Sequence, residues 1–262
     1  METLIRRAIC AALAVALVPA FPAAAEPPSQ PSAPTLASAS TSTFITRSAQ
    51  APRSVLIDAA SATLYMVEYG QIVDSMKVIV GKPTAATPEL TTALTYATLN
   101  PYWHVPADIA RTLTAPNVLQ QGTKYLEERG YEVVSSFGPE AEVLDPSSID
   151  WQAVADGRET VLVRQRPGPA NSMGRMKFSL LNSDGIYLHD TPKKELFEQD
   201  DRSLSAGCVR LEDAPRFARW LVGDDATLAT AVPERHVALP RMVPITITYL
   251  DPQAQTQLAE LR

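Results

Sequence analysis

Residues 177–192 read KFSLLNSDGIYLHDTP. Lys177 to Leu181 and Ile186 to His189 are short extended runs, and Asn182-Ser183-Asp184-Gly185 between them is turn chemistry. The segment therefore predicts a β-hairpin that ends in a histidine. Toward the N-terminus, Ser54 to Asp58, Thr63 to Tyr69 and Ile72 to Val80 are rich in β-branched and aromatic residues, with breaks at Ala59-Ala60-Ser61 and Gly70. They predict an antiparallel meander. Gly81-Lys82-Pro83-Thr84 ends it, Thr92 to Leu99 resumes an extended pattern, and two prolines in Asn100-Pro101-Tyr102-Trp103-His104-Val105-Pro106 stiffen an aromatic loop. Toward the C-terminus, Asp213 to Val222 carries Phe217, Trp220 and Leu221 at helical spacing, and Val243 to Leu250 alternates Ile245, Ile247 and Tyr249 as a last strand. The expected fold class is mainly β, a β-rich α+β chain with helices as ornaments.

Residues 107–168 differ in character. Thr123 to Arg129 is helical and polar with Gly130 as a stop, and Ser147-Ser148-Ile149-Asp150-Trp151 is a capped helical start, so the stretch reads as an insertion on the sheet core. At the other end, Arg6-Arg7, an apolar run from Ala8 to Phe21 and Ala23-Ala24-Ala25 follow the order of a secretory signal peptide. The run is short for a bilayer span. Cleavage is expected after Ala25, with a retained anchor as the alternative, and the domain is expected outside the cytoplasm. Residues 26–53 are Pro, Ala, Ser and Thr with almost no large apolar side chains, which predicts a disordered tether. This leaves residues 54–250 as one large domain and 251–262 as a C-terminal tail. Without residues 1–25 the chain has 21 basic against 28 acidic side chains. A net charge of about −7 argues against nucleic acid or anionic membrane surfaces as partners.

Of the two cysteines, Cys10 lies inside the export signal, so Cys208 is expected to be the only thiol of the mature chain and cannot form an intramolecular disulfide. It stands in Ser205-Ala206-Gly207-Cys208-Val209-Arg210. A thiol becomes a nucleophile when an imidazole or a cluster of backbone N–H groups stabilises the thiolate. His189 supplies the imidazole, and Gly207 lets the backbone turn its amides toward a bound carbonyl, where they can hold an oxyanion. On chemistry alone the bland reading stands beside this one, since free cysteine is among the most buried residue types.

His189-Asp190-Thr191-Pro192 followed by Ser205-Ala206-Gly207-Cys208-Val209-Arg210 resembles the signature of the L,D-transpeptidases, the family with the YkuD-type catalytic domain. The resemblance extends to Val80-Gly81-Lys82-Pro83, to Asn100-Pro101-Tyr102-Trp103 and to Asn171-Ser172-Met173-Gly174-Arg175-Met176-Lys177-Phe178, and so covers most of residues 55–250. It implies a YkuD-like sandwich or barrel-like fold and a periplasmic enzyme of the bacterial wall. In such an enzyme Cys208 attacks the third-residue carbonyl of a peptidoglycan tetrapeptide stem, releases D-alanine and forms a thioester. A diaminopimelate amine of a neighbouring stem resolves it as a 3-3 cross-link. His189 is then the base, and the amides of Ala206, Gly207 and Cys208 are the oxyanion donors. No metal or organic cofactor is expected, because thiol acyl transfer needs neither. Carbapenem β-lactams are expected to trap the same thiolate. Many family members have histidine where this chain has Ala206; the small residue resembles the larger wall transpeptidases of Gram-negative bacteria. In that branch the 107–168 stretch resembles a lid-like insertion.

Other residues carry two readings each. Tyr187, on the same face as His189, and Trp103 either line the donor groove or are ordinary half-buried aromatics. Arg210 either binds a substrate carboxylate or makes a structural ion pair; Ser205 either bonds the thiol loop or completes a turn. His104 and His236 read as incidental, since no metal-ligand spacing accompanies them. Asp190 should point away from the imidazole, leaving a backbone carbonyl to orient it. The acceptor also stays open: water would make a carboxypeptidase, and an amine of an outer-membrane protein would attach that protein to the wall. A non-catalytic wall-binding protein is the third reading.

Overall fold

The computed structural model describes residues 51–138, 140–223 and 228–260. The expected export signal and the expected tether up to residue 50 lie outside the described residues. The meander forms as the sequence predicts: β1 (Arg53–Asp58), β2 (Thr63–Glu68) and β3 (Gln71–Gly81) pair antiparallel in turn. After β4 (Leu90–Leu99) the chain leaves for the insertion and returns as β9 (Met176–Leu180) and β10 (Tyr187–His189), the two arms of the hairpin. The short strands β11 (Ser203–Ser205) and β12 (Val209–Leu211) flank Cys208, and β13 (Arg235–Thr248) closes the order. The neighbours run β3, β12, β10, β9, β4, β13, β1, β2, and β2 pairs back to β3, so eight strands close on themselves and β11 adds to β3. Closure removes the open edges that an isolated sheet would present.

Alternation fills the barrel. Val55, Ile57, Leu64, Val78, Phe178 and Leu188 turn inward and are all fully buried. Helix 214–222 adds Phe217 to that core, with its ring edge-on to Phe178 at 5.0 Å. The structure begins the last strand at Arg235, earlier than Val243, because Pro240 and Pro244 break the alternation around a register shift between Ala238 and Val243. Residue 53, read from sequence as the last of an expected tether, is the first of β1, and its guanidinium pairs with Glu68 at 3.1 Å. The expected tail is a helix at Pro252–Ala259, capped by Asp251 and burying Ala254 and Leu258 against Leu56 and Val67.

Residues 103–165 hold a second sheet, in the order β5 (Trp103–His104), β8 (Val163–Gln165), β6 (Tyr131–Val134), β7 (Val143–Leu144). It packs with α1 (Ala115–Gln121), α2 (Lys124–Glu128) and α3 (Trp151–Ala155) around its own cluster of Leu126, Val133, Trp151 and Val163. The helix at 115–121, which the sequence pattern did not announce, is entered through a π-helical turn at Ala110–Thr114.

Candidate active site

Cross-strand register assembles the site on the outer face of the barrel. His189 in β10 pairs with Arg210 in β12 on one side and with Lys177 in β9 on the other; Tyr187 pairs with Ser179. Cross-strand partners share a face, and that face is opposite to the one carrying Leu188, Phe178 and Val209 into the core. Cys208 immediately precedes β12, two residues from Arg210, and continuing the register sets it beside Tyr187. Its Sγ lies 3.8 Å from the Gly185 carbonyl, a long contact, and the Tyr187 backbone N–H also bonds it. Cys208 is half-buried, and burial pushes its thiol up; the Tyr187 amide, Arg210 and Lys177 pull it down.

His189 is buried, at 5% exposure, and its Nδ1 lies 2.6 Å from the Asp190 carbonyl oxygen. A carbonyl only accepts, so Nδ1 carries the proton and Nε2 keeps its lone pair. Burial depresses the imidazole to about 4, with Arg210 and Lys177 acting in the same direction and the bond to Asp190 opposing. The ring is therefore neutral near pH 7. The Asp190 carboxylate is turned to other work: it pairs with Lys194 Nζ at 2.7 Å and accepts from the Arg175 amide at 2.9 Å. The orienting group is a backbone carbonyl, as alternation in the strand implied.

The loop before the thiol is held from beneath. Gly207 has φ +118°, a region that side chains rarely adopt, and its carbonyl accepts from Thr87 Oγ1 at 2.8 Å while Thr87 Oγ1 accepts from the Gly81 amide at 2.9 Å. A Cβ on Gly81 would fall 2.2 Å from the Ala85 carbonyl oxygen, so only glycine lets the 83–87 turn close over the end of β3. Ser205 Oγ donates to the Cys208 carbonyl at 2.6 Å and accepts from the Gly207 amide at 3.1 Å. Ser205 thus bonds the thiol loop. The Gly207 N–H, expected among the oxyanion donors, is engaged by that hydroxyl.

Tyr187, His189, Cys208 and Arg210 come together as the sequence suggested. Trp103 stands in the second sheet opposite Gln165, packed on the insertion's cluster with Tyr131. Arg210 makes no ion pair among the described residues, which removes its structural reading. His236 holds Thr98 through Nδ1 at 3.0 Å and meets Tyr96 edge-on; His104 stacks on Phe137. Two residues of the face were not weighed from sequence, Lys177 and Ser179. The signal was available, since Lys177 and Ser179 alternate with Phe178 and Leu180 in one predicted strand.

The catalytic-domain profile of the L,D-transpeptidases matches residues 52–237. The chain belongs to the L,D-transpeptidase family. A Haemophilus influenzae protein provisionally named an L,D-transpeptidase is 33% identical over 168 residues, which are 64% of this chain and 33% of that protein. The chain thus spans about a third of the length of that curated relative. Among solved structures, an L,D-transpeptidase from Mycobacterium smegmatis aligns at a TM-score of 0.36 with 17% identity, covering 76% of this chain and 59% of that one. An L,D-transpeptidase solved in complex with imipenem aligns at 0.36 with 13% identity, covering 75% and 59%.

Proposed function

We propose that this family member is a cysteine acyltransferase of the periplasm that exchanges peptide bonds in peptidoglycan stems. The observation that carries the reading is the imidazole of His189: buried, neutral, fixed with Nε2 as an acceptor, and on the same sheet face as the one described thiol. Diagonal neighbours on a sheet face lie ~7–8 Å apart at the backbone, within reach of longer side chains. In the first half-reaction Nε2 takes the Cys208 proton and the sulfur adds to the third-residue carbonyl of a tetrapeptide stem. The amides of Ala206 and Cys208 hold the oxyanion. Collapse breaks the peptide bond, the imidazolium returns its proton to the departing amine of D-alanine, and a thioester remains. In the second, a diaminopimelate amine loses a proton to Nε2 and attacks the thioester, giving the 3-3 cross-link and restoring the thiol. The donor and acceptor stems are the partners, and a carbapenem carbonyl would acylate the same sulfur.

Incubating residues 26–262 with a diaminopimelate-containing disaccharide tetrapeptide, read by mass spectrometry, tests this. A dimer lacking one D-alanine, with a transient adduct on Cys208, is expected. Adduct with free tripeptide alone would move the acceptor to water or to an outer-membrane protein amine; no adduct would overturn the enzyme reading in favour of a wall-binding protein.

A further inference from the structure

Across β9, β10 and β12 the face of the site presents Lys177, His189 and Arg210 side by side, a neutral imidazole between two cations. Both cations are half-buried, and among the described residues neither has a carboxylate partner. The contrast with the rest of the molecule is sharp: Arg164 pairs with Glu132 at 2.8 Å, Arg216 with Asp74 at 2.9 Å and Lys194 with Asp190 at 2.7 Å. In a chain with more acidic than basic residues, partners for these two were not scarce. β9 and β12 lie two strand spacings apart, ~10 Å, near enough for like charges to repel, and partial desolvation adds to the cost. Lys177 Nζ is instead held 5.0 Å from the centre of the Tyr187 ring, which braces the ammonium without neutralising it. A second, independent irregularity lies on the same strand face: Ser179 Oγ, 5% exposed and in register with Tyr187, has no hydrogen-bond partner. Buried hydroxyls are ordinarily satisfied. Two unpaired cations on the strands either side of His189, with an orphaned hydroxyl two residues along from one of them, fit an anion with several acceptor oxygens.

We propose that Lys177 and Arg210 form a two-cation clamp for a peptide carboxylate beside Cys208, with Ser179 as a further donor, and that Lys177 determines specificity for acidic over amidated stems. This rests on the acyl-transfer reading for its choice of ligand. A stem offers two such carboxylates, the one at its C-terminus and the one on the side chain of its third residue, and both present the same chemistry to the clamp.

The test separates clamp from catalysis by measuring binding to the Cys208→Ala chain, which cannot be acylated. Three tetrapeptides are compared by calorimetry: the free acid, the C-terminal carboxamide and the side-chain carboxamide. One of the two amides should bind at least ~10-fold more weakly than the acid, as for loss of a charge-assisted pair, and which one it is identifies the carboxylate. Adding Lys177→Met should weaken the acid ~10-fold and leave that amide within about twofold; adding Lys177→Arg should preserve the preference. Equal affinity for the acid and both amides, or an equal loss for all three peptides in Lys177→Met, would overturn the clamp. Binding of this pattern with no acylation of the Cys208 chain would retain the clamp and remove the transpeptidase reading.

Discussion

At the scale of single residues, His189 couples chemistry to stability. An exposed histidine titrates near ~6.5, whereas burial sets this one at about 4. Above ~6.5 both the folded and unfolded chains keep it neutral and nothing is lost. As the pH falls below that value the unfolded chain takes the proton first, so stability drops between pH ~6.5 and 4, by up to ~3 kcal/mol. Urea unfolding of the wild type and of His189→Gln across this range should give a difference that shrinks toward acid; two parallel curves would sink the assignment. The same residue governs rate. His189→Ala should slow acylation by ~10²–10⁴-fold at pH 7 and recover in part at high pH, where the thiol ionises unaided. A flat pH profile in the variant would mean that the imidazole places the donor as well. Cys208→Ala should abolish the adduct and leave the melting curve unchanged, because the side chain is half-buried and the change small. Sequence made both residues visible through their motifs. Alternation was enough to set Lys177 and Ser179 on the face of the site, but what singles them out is missing partners, and a missing partner is a property of the folded face alone.

Elements matter here as holders of the site, and Asn171 shows how. It is buried, and its Nδ2 donates to the carbonyls of Pro101 and Arg166 at 2.9 Å each, while Oδ1 accepts from the Met173 amide at 2.7 Å. Pro101 belongs to the segment leaving the barrel and Arg166 to the segment returning from the insertion, so one amide side chain ties both feet of the second sheet to the start of β9. Asn171→Ala should therefore cost ~3 kcal/mol, since it strands the buried carbonyl of Pro101, the part-buried carbonyl of Arg166 and the buried Met173 amide. Chemical unfolding measures the loss, and a cost below ~1 kcal/mol would show that water replaces the amide. The sequence marked Asn171 only as part of a family motif. Its work depends on contacts 70 positions away at Pro101, which local pattern does not encode. The helix at 115–121 was hidden for a different reason: Pro116 and the threonines at 112 and 114 argue locally against a helix, and the π-helical turn shifts the apolar spacing. The meander and the hairpin were legible because alternation and turn residues agree within a few positions.

Over the whole molecule, the two largest apolar clusters of the described residues lie one inside the barrel and one in the insertion, a smaller third joins the C-terminal helix to β1 and β2, and no residue belongs to both of the large ones. Packing carries most of the cooperativity of a fold, so separate clusters predict separate opening. The site lies on the barrel, yet His104 of the second sheet is within electrostatic reach of Lys177, so opening of the insertion would change the charges that Lys177 meets. Val133→Ala tests this. Val133 is fully buried in the insertion's cluster and paired with Val163 and Leu144. Removing its two methyls should cost ~1.5–2.5 kcal/mol, which converts to ~10–70-fold faster amide exchange at 131–134 and 163–165. Amides of β1 and β13, whose side chains fill the other cluster, should exchange as in the wild type. Equal acceleration in both sheets would show one cooperative unit. Acceleration confined to the second sheet would make its opening the cheapest large motion near the thiol, and the same variant should then release D-alanine from a large cross-linked donor faster than from a free tetrapeptide, relative to wild type.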